Sequence, residues 1–123
     1  MTRQEVYDYV KKEYETDPEY LWARYPDTAV LRNASGKWYG IIMDVSKQKF
    51  GLDSDEVIDV LNVKANVEAV DFLITLPGIF RAYHMSKTNW VSVFLDGTAS
   101  DDTIINLLSD SYEMTMAKKN KKL

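Results

Sequence analysis

The first helix of this chain is predicted from the spacing of its apolar residues. They recur every three or four positions, which places them on one face of a helix: Val6, Tyr7, Val10 and Tyr14. Thr2 and Glu5 stand three positions apart just before this pattern, as in a capping box, where hydroxyl and carboxylate each accept a backbone N–H at the helix start. Asp17-Pro18 stops the helix, because proline cannot continue it. We therefore predict a helix that ends at about Tyr14.

Short apolar runs separated by small polar residues predict three strands in the first half of the chain. The runs are Ala29–Asn33, Trp38–Val45 and Val57–Val63, and the last is rich in β-branched residues. The first two are joined by residues 33–36, an Asn-Ala-Ser-Gly sequence that suits a tight turn. Lys37 would then lie at the tip of the first hairpin.

The second half alternates between helical and extended patterns. It predicts a helix over residues 66–76, strands over 80–85 and 90–95, and a last helix that begins after residue 100. Asn66 and Ser100 have side chains that commonly accept the free N–H groups at a helix start. Pro77-Gly78 ends the earlier helix. The second hairpin turns through the polar residues 86–89 and carries Lys87.

These elements follow the order α-β-β-β-α-β-β-α, which predicts an α+β fold. It is a two-layer sandwich in which the helices pack on one face of a mostly antiparallel sheet. We treat residues 1–117 as a single domain and residues 118–123 as a basic C-terminal tail. The residues expected to be largely buried between sheet and helices are Val10, Ile42, Trp90, Phe94 and Leu108.

Composition and charge narrow the classes of function. A chain of 123 residues with 46% hydrophobic residues can fold as one domain without a metal or a disulfide. It has no cysteine, no run of about 18 apolar residues and no signal-peptide pattern, so we expect a cytoplasmic protein that does not enter the membrane. Residues 91–117 carry five acidic and no basic side chains, and four lysines follow in the tail. Since an acidic body repels polyphosphate, any nucleic acid must bind at a local patch, with strong salt dependence.

Short motifs along nearly the whole domain, residues 5–117, resemble the MmcQ/YjbR family of small bacterial proteins. The motifs are Trp22 with Pro26, Gly36-Lys37-Trp38, Leu61–Lys64, Pro77-Gly78-Ile79, Ala82–Lys87, Asn89-Trp90, Leu95-Asp96-Gly97 and Ser111-Tyr112. The chain departs from the family pattern at Ser86, where asparagine is usual, and at Asn89, where histidine is usual. Both departures lie in the second hairpin turn.

The resemblance implies a fold and a function. Proteins of this family are usually described as DNA-binding, with two hairpins acting as wings, and their fold is similar to frataxin-type and secretion-chaperone-type α/β sandwiches. Lys37 and Lys87, one on each predicted tip, are the candidate contacts to the phosphate backbone. Further candidate nucleic-acid-binding residues are Arg32, Lys47, Lys49 and Arg81. The lysines of the tail would add a second phosphate contact or serve only as a solubilising end.

A different class of function remains open. The sheet face without helices, or an edge strand, would dock a protein partner or a second copy of this chain, with no role in nucleic-acid binding. A continuous basic stripe between the two tips would favour DNA. Lysines isolated by Asp27, Asp44 or Asp96 would favour a protein partner.

Signals for catalysis are weak. His84 is the single histidine of the chain, and no Gly-x-Ser-x-Gly motif accompanies a serine. Asp53-Ser54-Asp55-Glu56 lacks the spacing of a calcium loop. A histidine beside Tyr83 in an apolar strand is more typical of a hydrogen-bonded structural group than of a base or ligand. We therefore expect no enzyme activity, no catalytic or metal-binding residue and no cofactor.

Overall fold

A computed structural model describes residues 1–116 and has an α+β fold, which confirms the predicted class. Its helices and strands are α1 (Arg3–Tyr14), β1 (Ala29–Arg32), β2 (Trp38–Ser46), β3 (Val57–Lys64), α2 (Val70–Leu73), β4 (Ile79–Arg81), β5 (Trp90–Phe94) and α3 (Asp101–Thr115). The five strands form one sheet in the spatial order β1-β2-β3-β5-β4, and every neighbouring pair is antiparallel. The predicted tail lies outside the described residues.

The first helix begins as the sequence predicts. The Thr2 hydroxyl accepts a hydrogen bond from the Glu5 N–H, and the Glu5 carboxylate accepts one from the Thr2 N–H at 2.8 Å, so the capping box is confirmed. The helix ends at Glu15, which has a left-handed backbone (φ 57°) and donates its N–H to Lys11. This cap stops the helix two residues before the Asp-Pro pair that was expected to end it.

The main core lies between one sheet face and the two long helices. Val6 and Val10 of α1 and Ile104 and Leu108 of α3 are fully buried there. The sheet contributes apolar side chains from its four longest strands, among them Leu31, Ile42, Leu61 and Val93. We call the opposite side of the sheet the open face, because neither α1 nor α3 covers it.

A β-bulge brings one more aromatic ring into this core. Leu31 pairs with Gly40, but Arg32 pairs with Trp38, so Tyr39 is an extra residue on β2. Its ring is fully buried against the helices, and its hydroxyl donates to the Thr16 hydroxyl at 2.7 Å. Burial raises the pKa of Tyr39 well above its usual range.

A smaller core lies on the open face. Its buried members are Val45, Ile58, Val60 and Phe94. A 3₁₀ turn, Lys47–Phe50, follows β2 and folds back over this face, so that Phe50 lies 5.1 Å from Phe94, centroid to centroid. This turn covers only the part of the open face next to β4 and β5.

Several local predictions were wrong. The predicted helix over residues 66–76 is a 3₁₀ turn, Val67–Ala69, followed by the short α2, and the Asn66 side chain makes no capping bond. The predicted strand over residues 80–85 ends at Arg81, because the next residues bond to side chains of other strands, as described below. Trp90 is half-buried rather than in the core, and Phe94 is buried on the open face rather than between sheet and helices. Val10, Ile42 and Leu108 are buried as expected.

The two hairpins lie at the same end of the sheet. Gly40 near the start of β2 pairs with Val63 near the end of β3, and Lys64 pairs with Trp90 at the start of β5. The turns that precede β2 and β5 therefore share one end, which we call the hairpin end.

Among residues 1–116, no helix combines the length and apolar character needed to cross a bilayer.

Candidate functional site

The first hairpin is organised by one buried asparagine. The Asn33 side-chain oxygen accepts hydrogen bonds from the N–H groups of Ser35, at 2.9 Å, and Lys37, at 3.2 Å. Its amide nitrogen donates to the Thr115 hydroxyl at 2.7 Å, which ties the turn to the last turn of α3. Gly36 supplies the left-handed backbone that the turn requires (φ 87°). Lys37 is exposed at the tip, as predicted.

The second hairpin does not project as a wing from its strands. A buried pair, Asn62 on β3 and Ser92 on β5, binds the chain instead: Ser92 accepts from the Tyr83 N–H at 2.9 Å, and Asn62 donates to the Tyr83 carbonyl. The Ser92 hydroxyl also donates to the Asn62 side-chain oxygen. These bonds draw the residues after β4 back across the open face. This is why the predicted strand ends early.

His84 follows in a left-handed conformation. Its φ is 64°, which is uncommon for any residue other than glycine. Its ring is exposed and lies 4.0 Å from the Tyr83 ring, centroid to centroid. The expectation that His84 sits in a strand as a hydrogen-bonded structural group was therefore wrong. Residues 1–116 contain no cluster of three potential metal ligands.

The six predicted cations divide into two groups. Three form ion pairs: Arg32 with Glu19 at 3.0 Å, Lys47 with Glu56 at 2.7 Å, and Arg81 with Asp71 at 3.1 Å. The hydrogen bond with Glu56 raises the pKa of Lys47. The other three are in no ion pair among the described residues: Lys37, Lys49 and Lys87.

Two of the predicted residues, Lys37 and Lys87, lie at the same end of the sheet as Lys64, which the sequence did not identify as a candidate. Lys37 directly precedes β2, Lys64 ends β3, and Lys87 stands three residues before β5. Since these strands are neighbours, the three residues form a row across the hairpin end, which we call the lysine row. The Lys64 N–H donates to the Ser111 hydroxyl at 2.9 Å, so α3 holds the middle of the row in place. The Lys87 ammonium donates to the Ala82 carbonyl at 2.9 Å.

An aromatic groove lies on the open face next to the first hairpin. Its volume is about 470 Å³, and it is lined by Trp22, Tyr25, Thr28, Trp38, Ile41, Met43, Asp44, Tyr83, His84 and Met85. The Trp22 and Trp38 rings meet edge to face, with centroids 5.8 Å apart. The Arg32 guanidinium lies 5.8 Å from the Trp38 centroid on the same hairpin. The sequence showed these aromatic residues but not that they meet.

A smaller groove of about 370 Å³ lies on the other side of Tyr83. It gathers three of the predicted cations, Lys49, Arg81 and Lys87, around an apolar floor that includes Phe50 and Phe80. Lys47 and Arg32 are not part of it. The six predicted residues therefore do not form one continuous basic stripe.

Comparisons with known proteins agree with this fold. A family model described as YjbR matches residues 11–114. The chain is 41% identical over 116 residues to the uncharacterized protein YyaQ of Bacillus subtilis (strain 168), covering 94% of this chain and 98% of that protein. The crystal structure of a protein from Pseudomonas syringae has a TM-score of 0.91 and 39% identity, covering 94% of this chain and all of that one.

A more distant structure shows the fold alone. The crystal structure of Deinococcus radiodurans protein DR2400 is 21% identical, with a TM-score of 0.66, and the match covers 94% of this chain and 81% of that one. The family match covers most of the chain, and it confirms the resemblance that the short motifs indicated. The chain belongs to the YjbR family.

Proposed function

We propose that this protein binds DNA through phosphate contacts made by the lysine row. The observation that carries the proposal is that three lysines from three neighbouring strand ends, Lys37, Lys64 and Lys87, share one end of the sheet and are in no ion pair among the described residues. Adjacent strands lie about 4.8 Å apart, so the three strand ends that carry the row span about 10 Å. This width allows contacts to a few neighbouring phosphates of a DNA backbone.

The distribution of charge supports this orientation. The turn between β2 and β3 and the segment after β5 lie at the end of the sheet opposite the lysine row. Six acidic residues in these segments and in the first turn of α3 are exposed there, at what we call the acidic end: Asp53, Asp55, Glu56, Asp96, Asp101 and Asp102. Two of them are in ion pairs, Glu56 with Lys47 and Asp101 with the N-terminal ammonium. The other four carboxylates should make the acidic end repel a polyanion more strongly than the hairpin end does.

Three phosphate contacts make a weak and salt-sensitive interaction. The logarithm of the association constant should fall with the logarithm of salt concentration with a slope of about −2.7, since each contact contributes about −0.9. Arg32 and Arg81 add little, because each already pairs with a carboxylate. We expect no strong preference for sequence, since phosphate contacts do not read bases.

Fluorescence anisotropy with a labelled random oligonucleotide tests the proposal. At about 50 mM salt, where screening is modest, the protein should bind. Each substitution in the row, Lys37→Gln, Lys64→Gln or Lys87→Gln, should reduce the magnitude of the salt slope by about 1. Glutamine keeps most of the aliphatic stem. The control is Lys12→Gln, which removes the same charge from an exposed position of α1 and should leave the slope unchanged.

The absence of binding at about 50 mM salt would reject the DNA proposal in favour of protein docking. Docking at a strand edge is not favoured, because Glu19 pairs with Val30 along the outer side of β1 and the other edge strand, β4, has three residues. The docking surface would then be the open face.

A further inference from the structure

The aromatic groove has the dimensions and construction of a small-molecule site. Its volume of about 470 Å³ falls within the range of pockets that bind small ligands. Three separate parts of the chain form its walls: the connection after α1 supplies Trp22, β2 supplies Trp38, and the segment after β4 supplies His84. Because three separate elements form the walls, the shape of the groove does not depend on the conformation of a single loop.

The wall formed by the segment after β4 is held in place from beneath. Tyr83 is bonded at both its N–H and its carbonyl by the buried pair, Ser92 and Asn62. His84, the next residue, is kept in a left-handed conformation (φ 64°), which is unfavourable for a residue with a Cβ. Such conformations persist where the surrounding structure enforces them, and they are frequent at binding sites.

The lining favours a flat, uncharged ring. The indole rings of Trp22 and Trp38 and the half-exposed Tyr83 offer aromatic surface for stacking. Asp44 also borders the groove, but its side chain points to the helix side of the sheet, because its neighbours Met43 and Val45 pack on the open face. The hydroxyl of Thr28 can bond to the polar edge of a heterocycle.

One cation of the lysine row adjoins a wall of this groove, since Lys37 directly precedes Trp38. Another, Lys87, lines the smaller groove on the other side of Tyr83, so it is separated from the aromatic groove by the Tyr83 segment. A ligand with a neutral ring and an adjoining anionic group matches this arrangement. A nucleotide within a single strand has such a composition.

We propose that the aromatic groove binds one unstacked base of a single-stranded nucleic acid while the lysine row contacts the flanking phosphates. This inference rests on the proposed function for the phosphate contacts and adds the base as a second determinant. A base within a duplex is stacked and paired, and cannot enter the groove without being extruded. Single strands should therefore bind more tightly than duplexes of the same length.

The deciding experiment compares two labelled strands that carry the same number of phosphates. One is an oligo-deoxycytidine, and the other is an abasic strand of equal length. Stacking of one base should make the first bind roughly 5- to 100-fold more tightly. Trp22→Ala, at an exposed side chain, should remove most of this difference, whereas Trp90→Phe, outside the groove, should retain it.

The outcomes separate the inference from the proposed function. Equal affinity for the two strands would overturn the inference and leave phosphate binding by the lysine row intact. A base-dependent advantage that survives Trp22→Ala but is lost in Trp90→Phe would also overturn it, since the base would then bind elsewhere. Binding to neither strand would overturn both proposals.

Discussion

Single residues with a left-handed backbone mark the places where the chain changes direction. Gly78 (φ 78°) follows α2 and leads into β4, and Gly36 (φ 87°) completes the first hairpin turn. The two differ in their surroundings. A Cβ on Gly78 would lie 2.9 Å from the backbone nitrogen of Ala99, whereas a Cβ on Gly36 would meet nothing within 4 Å. Both glycines have a positive φ, but only at Gly78 would an added Cβ also contact neighbouring atoms.

The difference between the two glycines predicts a difference in stability between two alanine variants, of which Gly36→Ala is the control. Gly36→Ala should destabilise the protein by about 1 kcal/mol, the cost of a left-handed alanine. Gly78→Ala should cost on the order of 2–4 kcal/mol, because the backbone near Ala99 must also move. Urea unfolding of the two variants beside the parent measures both values. Equal losses would show that the approach of Gly78 to Ala99 is not a constraint on the fold.

At the residue scale, the sequence predicted local contacts better than partners across the fold. The capping box of Thr2 and Glu5 and the cap by Ser100 were confirmed, since each involves only neighbours along the chain, whereas the cap by Asn66 was not formed. That Lys47 would pair with Glu56 was not predictable from spacing, since the pairing depends on how the 3₁₀ turn folds back. Lys64 was missed for the same reason: its place in the row follows from strand order.

At the scale of elements, the segment after β4 is the main departure from the sequence pattern. The apolar alternation from Phe80 to Met85 predicted a strand, yet the ladder ends at Arg81. The competing bonds come from side chains on β3 and β5, which the local pattern does not include. The predicted second helix was shortened for a different reason: Val67 and Phe72 are 60% and 64% exposed, so only part of its apolar pattern, including Val70, faces the core.

Removing one hydroxyl should release this segment. Ser92→Ala leaves the Tyr83 N–H without its acceptor and the buried Asn62 without one of its partners. We expect a loss of about 1–3 kcal/mol in stability, the usual penalty for unsatisfied buried groups, and faster hydrogen exchange at Tyr83.

A matched control is available within the same segment. Ser86→Ala removes an exposed hydroxyl that accepts only from the Thr88 N–H, so stability should change by less than about 0.5 kcal/mol. If Ser92→Ala and Ser86→Ala gave the same stability and the same exchange at Tyr83, the buried pair would not be what holds the segment on the open face.

At the scale of the whole molecule, the topology determines which charged residues share an end of the sheet, which the net charge of −4 does not reveal. The element pattern predicted the α+β class, but the spatial order β1-β2-β3-β5-β4 determines which turns share an end. That order gathers Lys37, Lys64 and Lys87 at one end. It also places the aromatic groove on the open face next to the first hairpin.

The packing of the whole molecule also limits which surfaces a partner can reach. One face of the sheet is covered by α1 and α3, and the two edge strands are short or partly paired. Part of the open face is covered by the 3₁₀ turn after β2 and by the segment after β4. The hairpin end, the aromatic groove and the smaller groove beyond Tyr83 remain accessible, and the two proposals concern the first two of these.

Amide chemical-shift mapping by NMR during titration with a short DNA oligonucleotide at low salt tests the proposal that the lysine row binds DNA. Perturbations should cluster at the hairpin end, around Lys37, Lys64 and Lys87, and extend onto Trp38 in the groove. The amides of residues 53–56 and 96–102, at the acidic end, should remain unchanged and serve as the internal control. Perturbations centred on the acidic end or on the helix layer, or no perturbation at all, would contradict it.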